Sequence, residues 1–380
     1  MSRKVYFNTK TWYAYFEIIF ILAYLFPVKI ITDLFGLAID SYIYAFVTIV
    51  LTILYFALSI HEVKIQHLLF FCIIVLIVIM QRDFTGFQLM GLILVDIVTD
   101  DIDYYSESLK KNHVFEWIGV LGIIIYSLVY FGYLNRFAFL GVAEANISGV
   151  GIFLLGAFVR AKSKRMSNVI WLVGVLTLSR NYLLALIVFG GTSWIIKKNI
   201  GNKIIKIFTF GKIGIASSAI LLMMAKVFQK YFRLGIVSDY VEGGIKRFIN
   251  IIDVSNYRRF IVNGGTIEIY RLHPHLLMTG IKHSEFSNYY YEVCRIMGAD
   301  YSNDRPHNFF FSYLQIYGIF SVIIFWFLSK IFIKIVNKNN FPIFMAAMVY
   351  AIFLGMGFSG YWLWILVGAL IINYSGSAER

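Results

Sequence analysis

Residues 164–198 read KRMSNVIWLVGVLTLSRNYLLALIVFGGTSWIIKK, and the one charge inside that apolar run, Arg180, decides how the chain folds. Taken as a single helix, the run holds Arg180 near the centre of a bilayer, where insertion costs about 2.5–3.5 kcal/mol. Basic residues flank the run at both ends, Lys164 and Arg165 before it and Lys197 and Lys198 after it. Both ends therefore belong on the same side of a membrane. The chain meets both conditions by crossing over 167–179, turning at Ser179-Arg180-Asn181 and crossing back over 181–196. Arg180 then stands at the tip of a helical hairpin.

The rest of the chain has the same character. Of its 380 residues 59% are hydrophobic and only 14% charged, and the mean hydropathy is +0.74. Soluble globular domains do not reach these values. Apolar runs suited to a hydrocarbon core of about 30 Å fall near 12–31, 42–60, 65–80, 84–98, 114–134, 138–160, 167–179, 181–196, 210–227, 306–329, 341–357 and 361–374. The expected fold is an all-α polytopic membrane protein with about 12 transmembrane helices. The number drops towards about ten if 65–80 and 84–98 form a re-entrant hairpin. All of 1–380 reads as a single integral membrane domain. The 26 Tyr and 7 Trp suit aromatic belts at the membrane interfaces. The stretch 12–31 lacks a small-residue cleavage site and reads as a first span. Cys72 lies in an apolar run and Cys294 in a polar one, so no disulfide framework is expected. The net charge of +13 raises nucleic acid as a partner, but the basic residues sit in short clusters between spans. That is topogenic charge, and no nucleic acid is expected.

Orientation follows from those clusters. Nineteen Lys and Arg lie on one side, from Arg3, Lys4 and Lys10 through Lys64, Lys110, Lys111, 160–165 and 197–212 to Lys330, Lys334, Lys338 and Arg380. The short connections opposite carry only Lys29, Arg82, Arg136 and Arg180. Both termini are therefore expected in the cytoplasm. The acidic group Asp100, Asp101, Asp103 and Glu107 dissents, but acids count for little in this rule. The polar stretch 228–305 becomes one large external loop.

That loop holds ten Lys and Arg against eight acids, so it is nearly balanced. Apolar Phe260, Ile261, Ile267 and Leu272 predict an amphipathic helix over 258–271, ended by His273-Pro274. Neighbouring Arg258 and Arg259 point about 100° apart on such a helix, so at most one faces a given ligand. The loop runs into Arg305-Pro306-His307-Asn308. With Pro306 at the first helical position, His307 falls in the first turn of a membrane helix. A helix N-terminus favours anions and a neutral imidazole, which suits His307 as a proton acceptor. His273, His275, His283 and His307 have no metal-ligand spacing, and no metal is expected. External arginines, a neutral histidine and an apolar surround suit a substrate with a pyrophosphate head and a hydrophobic tail. Holding the leaving pyrophosphate while a histidine deprotonates a hydroxyl suffices for glycosyl transfer. A flippase or transporter is the rival from another class. It needs ionisable residues inside the spans, which offer only Glu17, Asp96, Glu116 and Glu144.

Several of these residues stand in a familiar order. Leu176-Thr177-Leu178-Ser179-Arg180 is followed by Arg259 in a helix leading to His273-Pro274 and Gly280. Then come Pro306-His307-Asn308, Tyr313-Leu314, Gly318 and Ile319. The pattern resembles the O-antigen polymerase and O-antigen ligase superfamily, and RFAFLGVAEAN over 136–146 is similar to a segment upstream in that family. The resemblance implies a GT-C-like glycosyltransferase in the bacterial inner membrane, with its active site on the external face. It implies polyprenyl-pyrophosphate-linked oligosaccharides as donor and acceptor, membrane lipid around them, and no cofactor. Residue by residue, it implies that Arg180 and Arg259, with Arg258 beside it, hold pyrophosphate and that His307 activates the acceptor hydroxyl. Arg305, Asn308, Arg136 and Tyr313 are the supporting residues. The sequence 275–281 departs from the family in lacking a glycine pair after the proline. The expected activity is polymerisation of repeat units, with ligation to a lipid-A core or a protein as the alternative. A chain-length regulator and a flippase are the candidate protein partners.

Overall fold

The computed structural model describes residues 39–58, 63–111, 145–177, 179–236, 254–299, 305–354 and 360–374. Among them every ordered element is helical and no strand occurs. The expected spans 12–31 and 114–134 lie outside these residues, as do Arg136 and most of 136–146. The chain divides into two units. One is Met1–Asn202 with Ile331–Ala347 and Gly357–Arg380; the other is Lys203–Lys330 with Met348–Met356.

The first unit contains α1 (Ile39–Leu58), α2 (Ile65–Gln81), α3 (Gly91–Val98), α4 (Ile102–Lys111), α5 (Ala145–Arg160), α6 (Lys164–Gly174) and α7 (Arg180–Ile195). Between α2 and α3 the chain reverses at Arg82, whose φ of 51° is left-handed. Asp83 then caps a 3-10 turn over Phe84–Met90 by accepting from the Thr85 amide at 2.9 Å. The reversal brings His67, near the start of α2, to 2.9 Å from Asp96, near the end of α3.

The second reversal is the one Arg180 demands. Trp171 and Phe189 have ring centroids 4.6 Å apart. One straight helix would separate those residues by about 27 Å. The Tyr182 hydroxyl donates to the Trp171 carbonyl at 2.6 Å, closing the turn. Ser179 caps α7 by accepting from the Tyr182 amide at 3.3 Å, which fixes Arg180 as the first helical residue. Within the hairpin, Arg160 lies over the Trp171 and Phe189 rings at 5.3 and 5.0 Å. Across the chain, α16 (Gly360–Ile372) joins this unit: Asn373 Nδ2 donates to the Ala157 carbonyl at 2.8 Å.

The second unit contains α8 (Gly201–Ile207), α9 (Phe210–Arg233), α10 (Val254–Leu272), α11 (Leu276–Thr279), α12 (His283–Met297) and α13 (Phe309–Tyr317). From there the chain passes into α14 (Ser321–Ile335) and later α15 (Phe341–Leu354), which both units share. Helices α9 and α10 run antiparallel. Phe232 stacks on Tyr257 at 4.4 Å and Phe228 meets Phe260 at 4.9 Å. The helix expected over 258–271 is present and stops before His273, as the proline at 274 requires. Two features of this stretch go beyond the sequence reading. Helix α9 continues to Arg233, beyond position 228. The stretch after it also holds packed helix: Phe286, Tyr290 and Val293 of α12 are buried against α10.

By length and composition, Phe210–Arg233 and Phe309–Ile335 are apolar enough to cross a membrane, and shorter apolar helices accompany them. Large apolar side chains point outward, with Ile215 and Ile65 each 76% exposed. Lipid accepts such a surface and water does not. The span expected over 306–329 is not one straight helix. Gly318 has φ 52° and ψ −134°, and Phe310 and Phe325 have centroids 5.3 Å apart. A straight helix would place them about 22 Å apart. Helices α13 and α14 therefore form a V, with Phe309, Phe310, Tyr313 and Phe325 in contact across it.

Candidate functional site

Asn308 starts α13. Its Oδ1 accepts from the amides of Phe310 at 2.9 Å and Phe311 at 3.1 Å, and its Nδ2 donates to the Ile352 carbonyl at 3.1 Å. All of it is buried. Asn308 thus supports the site by fixing the helix entry. His307 lies one residue before the cap, not in the first turn, and Pro306 two before it. Asparagine wins the cap because its side chain satisfies two orphan amides, which no residue before Pro306 does. His307 is half-buried, Pro306 buried and Arg305 exposed. Tyr313 is buried in the V, 4.2 Å from Phe309 and 5.2 Å from Tyr317 between ring centroids.

The two motif segments of this unit meet at the apex of the V. The Ile281 amide donates to the Gln315 carbonyl at 2.7 Å. Gly280 and Gly318 take φ of +72° and +52°, and each backbone presses against the other strand of the contact. A Cβ on Gly280 would lie 1.9 Å from the Ile316 carbonyl oxygen, and one on Gly318 2.2 Å from that of Leu277. From the end of α10, the Tyr270 hydroxyl donates to the carbonyls of Leu314 at 2.6 Å and Gln315 at 3.0 Å. The segment 270–281 is therefore locked onto α13.

Burial pushes the Tyr270 hydroxyl above the usual tyrosine range, so it remains a donor. A pKa raised on folding adds stability that is complete below the unfolded value of about 10 and is lost as pH rises above it. Tyr270→Phe is expected to cost about 0.5–1.5 kcal/mol at neutral pH. It should also flatten the alkaline limb of a melting-temperature profile, and an unchanged limb would remove the latch.

On α10 Arg258 is exposed and Arg259 half-buried, so the two side chains do face differently. The rings flanking them meet Phe228 and Phe232 of α9. The rings beside His307 instead meet the other end of α9: Phe310 lies 5.4 Å from Phe210 and against Gly214. From Gly214 to Phe228 is about 21 Å of helix. This conformation anchors Arg259 and His307 at opposite ends of α9. The His307 end is the one beside Lys212, so the two residues do not share the external face that the charge pattern assigns to both. Arg180 belongs to the other unit, half-buried at the first position of α7. A cation there opposes the helix dipole, which favours an anion nearby.

His273 pairs with Glu292 at 3.0 Å and packs on Tyr289, a contact that a loop without α12 could not make. Among the described residues no group of three His, Cys, Asp or Glu gathers as a metal site would. Compared with models of protein families, with curated proteins and with solved structures, the chain gives no match.

Proposed function

We propose that this chain is a multi-pass glycosyltransferase of the bacterial inner membrane, with about 12 transmembrane helices and a GT-C-like fold. It polymerises lipid-linked polysaccharide repeat units at the external face. The observation that carries the reading is the lock at Gly280 and Gly318: it unites the two segments whose order resembles the O-antigen polymerase superfamily. In the reaction His307 takes the proton of an acceptor sugar hydroxyl, and the oxygen attacks the anomeric carbon of the donor glycan. The bond from that carbon to the pyrophosphate oxygen breaks, and polyprenyl pyrophosphate leaves with the electron pair. Arginine forks hold its charge without a metal.

The distance along α9 bears on which arginine does so. Arg305, two residues from His307, is the local one. Arg259 joins when the donor lipid closes that distance, as substrate-driven assembly allows. Spin labels beside positions 259 and 307 should therefore approach one another on adding lipid-linked repeat unit. A distance that stays fixed in an active protein would leave Arg305 as the pyrophosphate holder. In that case Arg305→Ala would lower activity more than Arg259→Lys does.

The direct test supplies purified chain with lipid-linked repeat unit alone and reads product length on a gel. A ladder supports polymerisation. Transfer only when a lipid-A core or protein acceptor is added would make the chain a ligase. One observation favours a second reading, a flippase of lipid-linked oligosaccharide: Asp96 is fully buried in an ionic network, as coupled transporters require. Movement of the lipid across proteoliposomes with no ladder would select it.

A further inference from the structure

The open end of the α2–α3 hairpin holds a chain of charges that the proposed reaction does not use. The Asp96 carboxylate accepts from His67 Nε2 at 2.9 Å, from Gln66 Nε2 at 3.4 Å and from Lys334 Nζ at 2.6 Å. Lys334 also donates to Asp100 at 3.0 Å, and Lys64 pairs with Asp100 and lies 3.9 Å from Asp96. On the inner side the Tyr55 hydroxyl lies 3.2 Å from His67 Nδ1. Exposure is graded along this path. The side chains of Asp96 and His67 are 0% exposed, against 28% for Lys334, 39% for Lys64 and 42% for Asp100.

Charge counting defines the resting state. If the Tyr55 hydroxyl donates to Nδ1 while Nε2–H of His67 is aimed at the carboxylate, the imidazole is neutral. Among the described residues, two lysines then balance two aspartates, and these groups together carry no net charge. Removing the Lys334 ammonium leaves a buried negative charge, which an apolar interior does not tolerate. One proton on the His67–Asp96 pair restores neutrality. Among the described residues, the groups facing the pair include Tyr55 from α1, Gln66 and Lys64 at the start of α2, Asp100 after α3 and Lys334 from α14. Helix α16, which also packs on α3, carries no carboxylate, ammonium or imidazole.

We propose that the His67–Asp96 pair is a buried proton-binding site that exchanges the Lys334 ammonium for a proton. When Lys334 leaves Asp96, one proton enters and is held on His67 or Asp96. When Lys334 returns, that proton departs. The partly exposed Lys334, Asp100 and Lys64 give the pair its route to solvent. Whatever displaces Lys334 is thereby coupled to uptake of one proton.

The test uses the full chain in lipid nanodiscs at neutral pH. Nitrogen resonances of labelled histidine, assigned with His67→Gln, read the imidazole, and infrared difference spectra read the Asp96 carboxyl. Wild type and Lys334→Arg should have a neutral His67 and an ionised Asp96. Lys334→Met should hold one proton on the pair, and Asp96→Asn in that background should abolish it. Lys334→Met should also melt at a higher temperature at pH 5 than at pH 8, because its folded state binds the extra proton. The proposal is overturned by a folded Lys334→Met with an unprotonated pair, or by a wild type whose pair is already protonated. A Lys334→Met chain no more stable at pH 5 than at pH 8, or folded at neither, overturns it equally, since a proton would not replace the lysine.

Discussion

His307→Ala is expected to lower polymer formation from purified lipid-linked repeat unit by a factor of about 10²–10⁴, the usual worth of a general base. The substitution should leave the fold intact. His307 lies before the helix cap, and the contacts that fix the entry to α13 belong to its neighbour Asn308. His307 is half-buried, so a melting curve is recorded beside the activity, and one close to wild type separates lost chemistry from lost structure. Asn308→Ala provides the contrast. It removes a cap to two amides and a bond to Ile352, and should lower stability by about 0.5–2 kcal/mol together with activity. A His307→Ala protein that still makes near-normal polymer would exclude His307 as the base. The proton would then have to leave by another group, with Arg305 and Arg259 remaining as candidates only for holding pyrophosphate.

The parts of the fold that could be read from sequence are those enforced by a local conflict. Arg180 is a single charge in a long apolar run, so a reversal beside it follows from solvation alone, and the Trp171–Phe189 contact bears it out. The helix α10 follows from its apolar spacing and from the proline after His273. Where the deciding contact is distant in sequence, the reading fails. The stretch 306–329 reads as one span because it is apolar almost throughout, yet the turn at Gly318 is held by Leu277 and Gly280. Helix α12 was hidden by its polar composition, although Phe286, Tyr290 and Val293 recur at helical spacing and mark a buried face. Asp96 stood out in sequence as an acid within a span. Its partners His67 and Lys334, 29 and 238 residues away, could not be read from it. The same limit governs the candidate site. Each residue type was legible, but the separation of Arg259 from His307 along α9 depends on which end of that helix each segment meets.

Gly280→Ala and Gly318→Ala are expected to be the most destabilising single-methyl changes in the second unit, at about 2–6 kcal/mol each. Two costs combine. A Cβ at either position would meet a carbonyl oxygen at 1.9 or 2.2 Å, and both obstacles are backbone, which cannot rotate away as a side chain would. The conformations add strain: Gly280 has φ 72° and ψ −179°, and Gly318 φ 52° and ψ −134°, both outside the regions open to other residues. Gly235 separates the two costs. Its φ is +68°, but nothing lies within 4 Å of an added Cβ, so Gly235→Ala should cost only the backbone term, about 1 kcal/mol. Because Gly280 and Gly318 face one contact, the double variant should lose less than the two single losses added together. Melting in detergent, with polymer yield measured in parallel, distinguishes the outcomes. If Gly280→Ala and Gly318→Ala melt like Gly235→Ala, the segment after α10 is not locked to α13. The two motifs would then lose the contact that makes them one site.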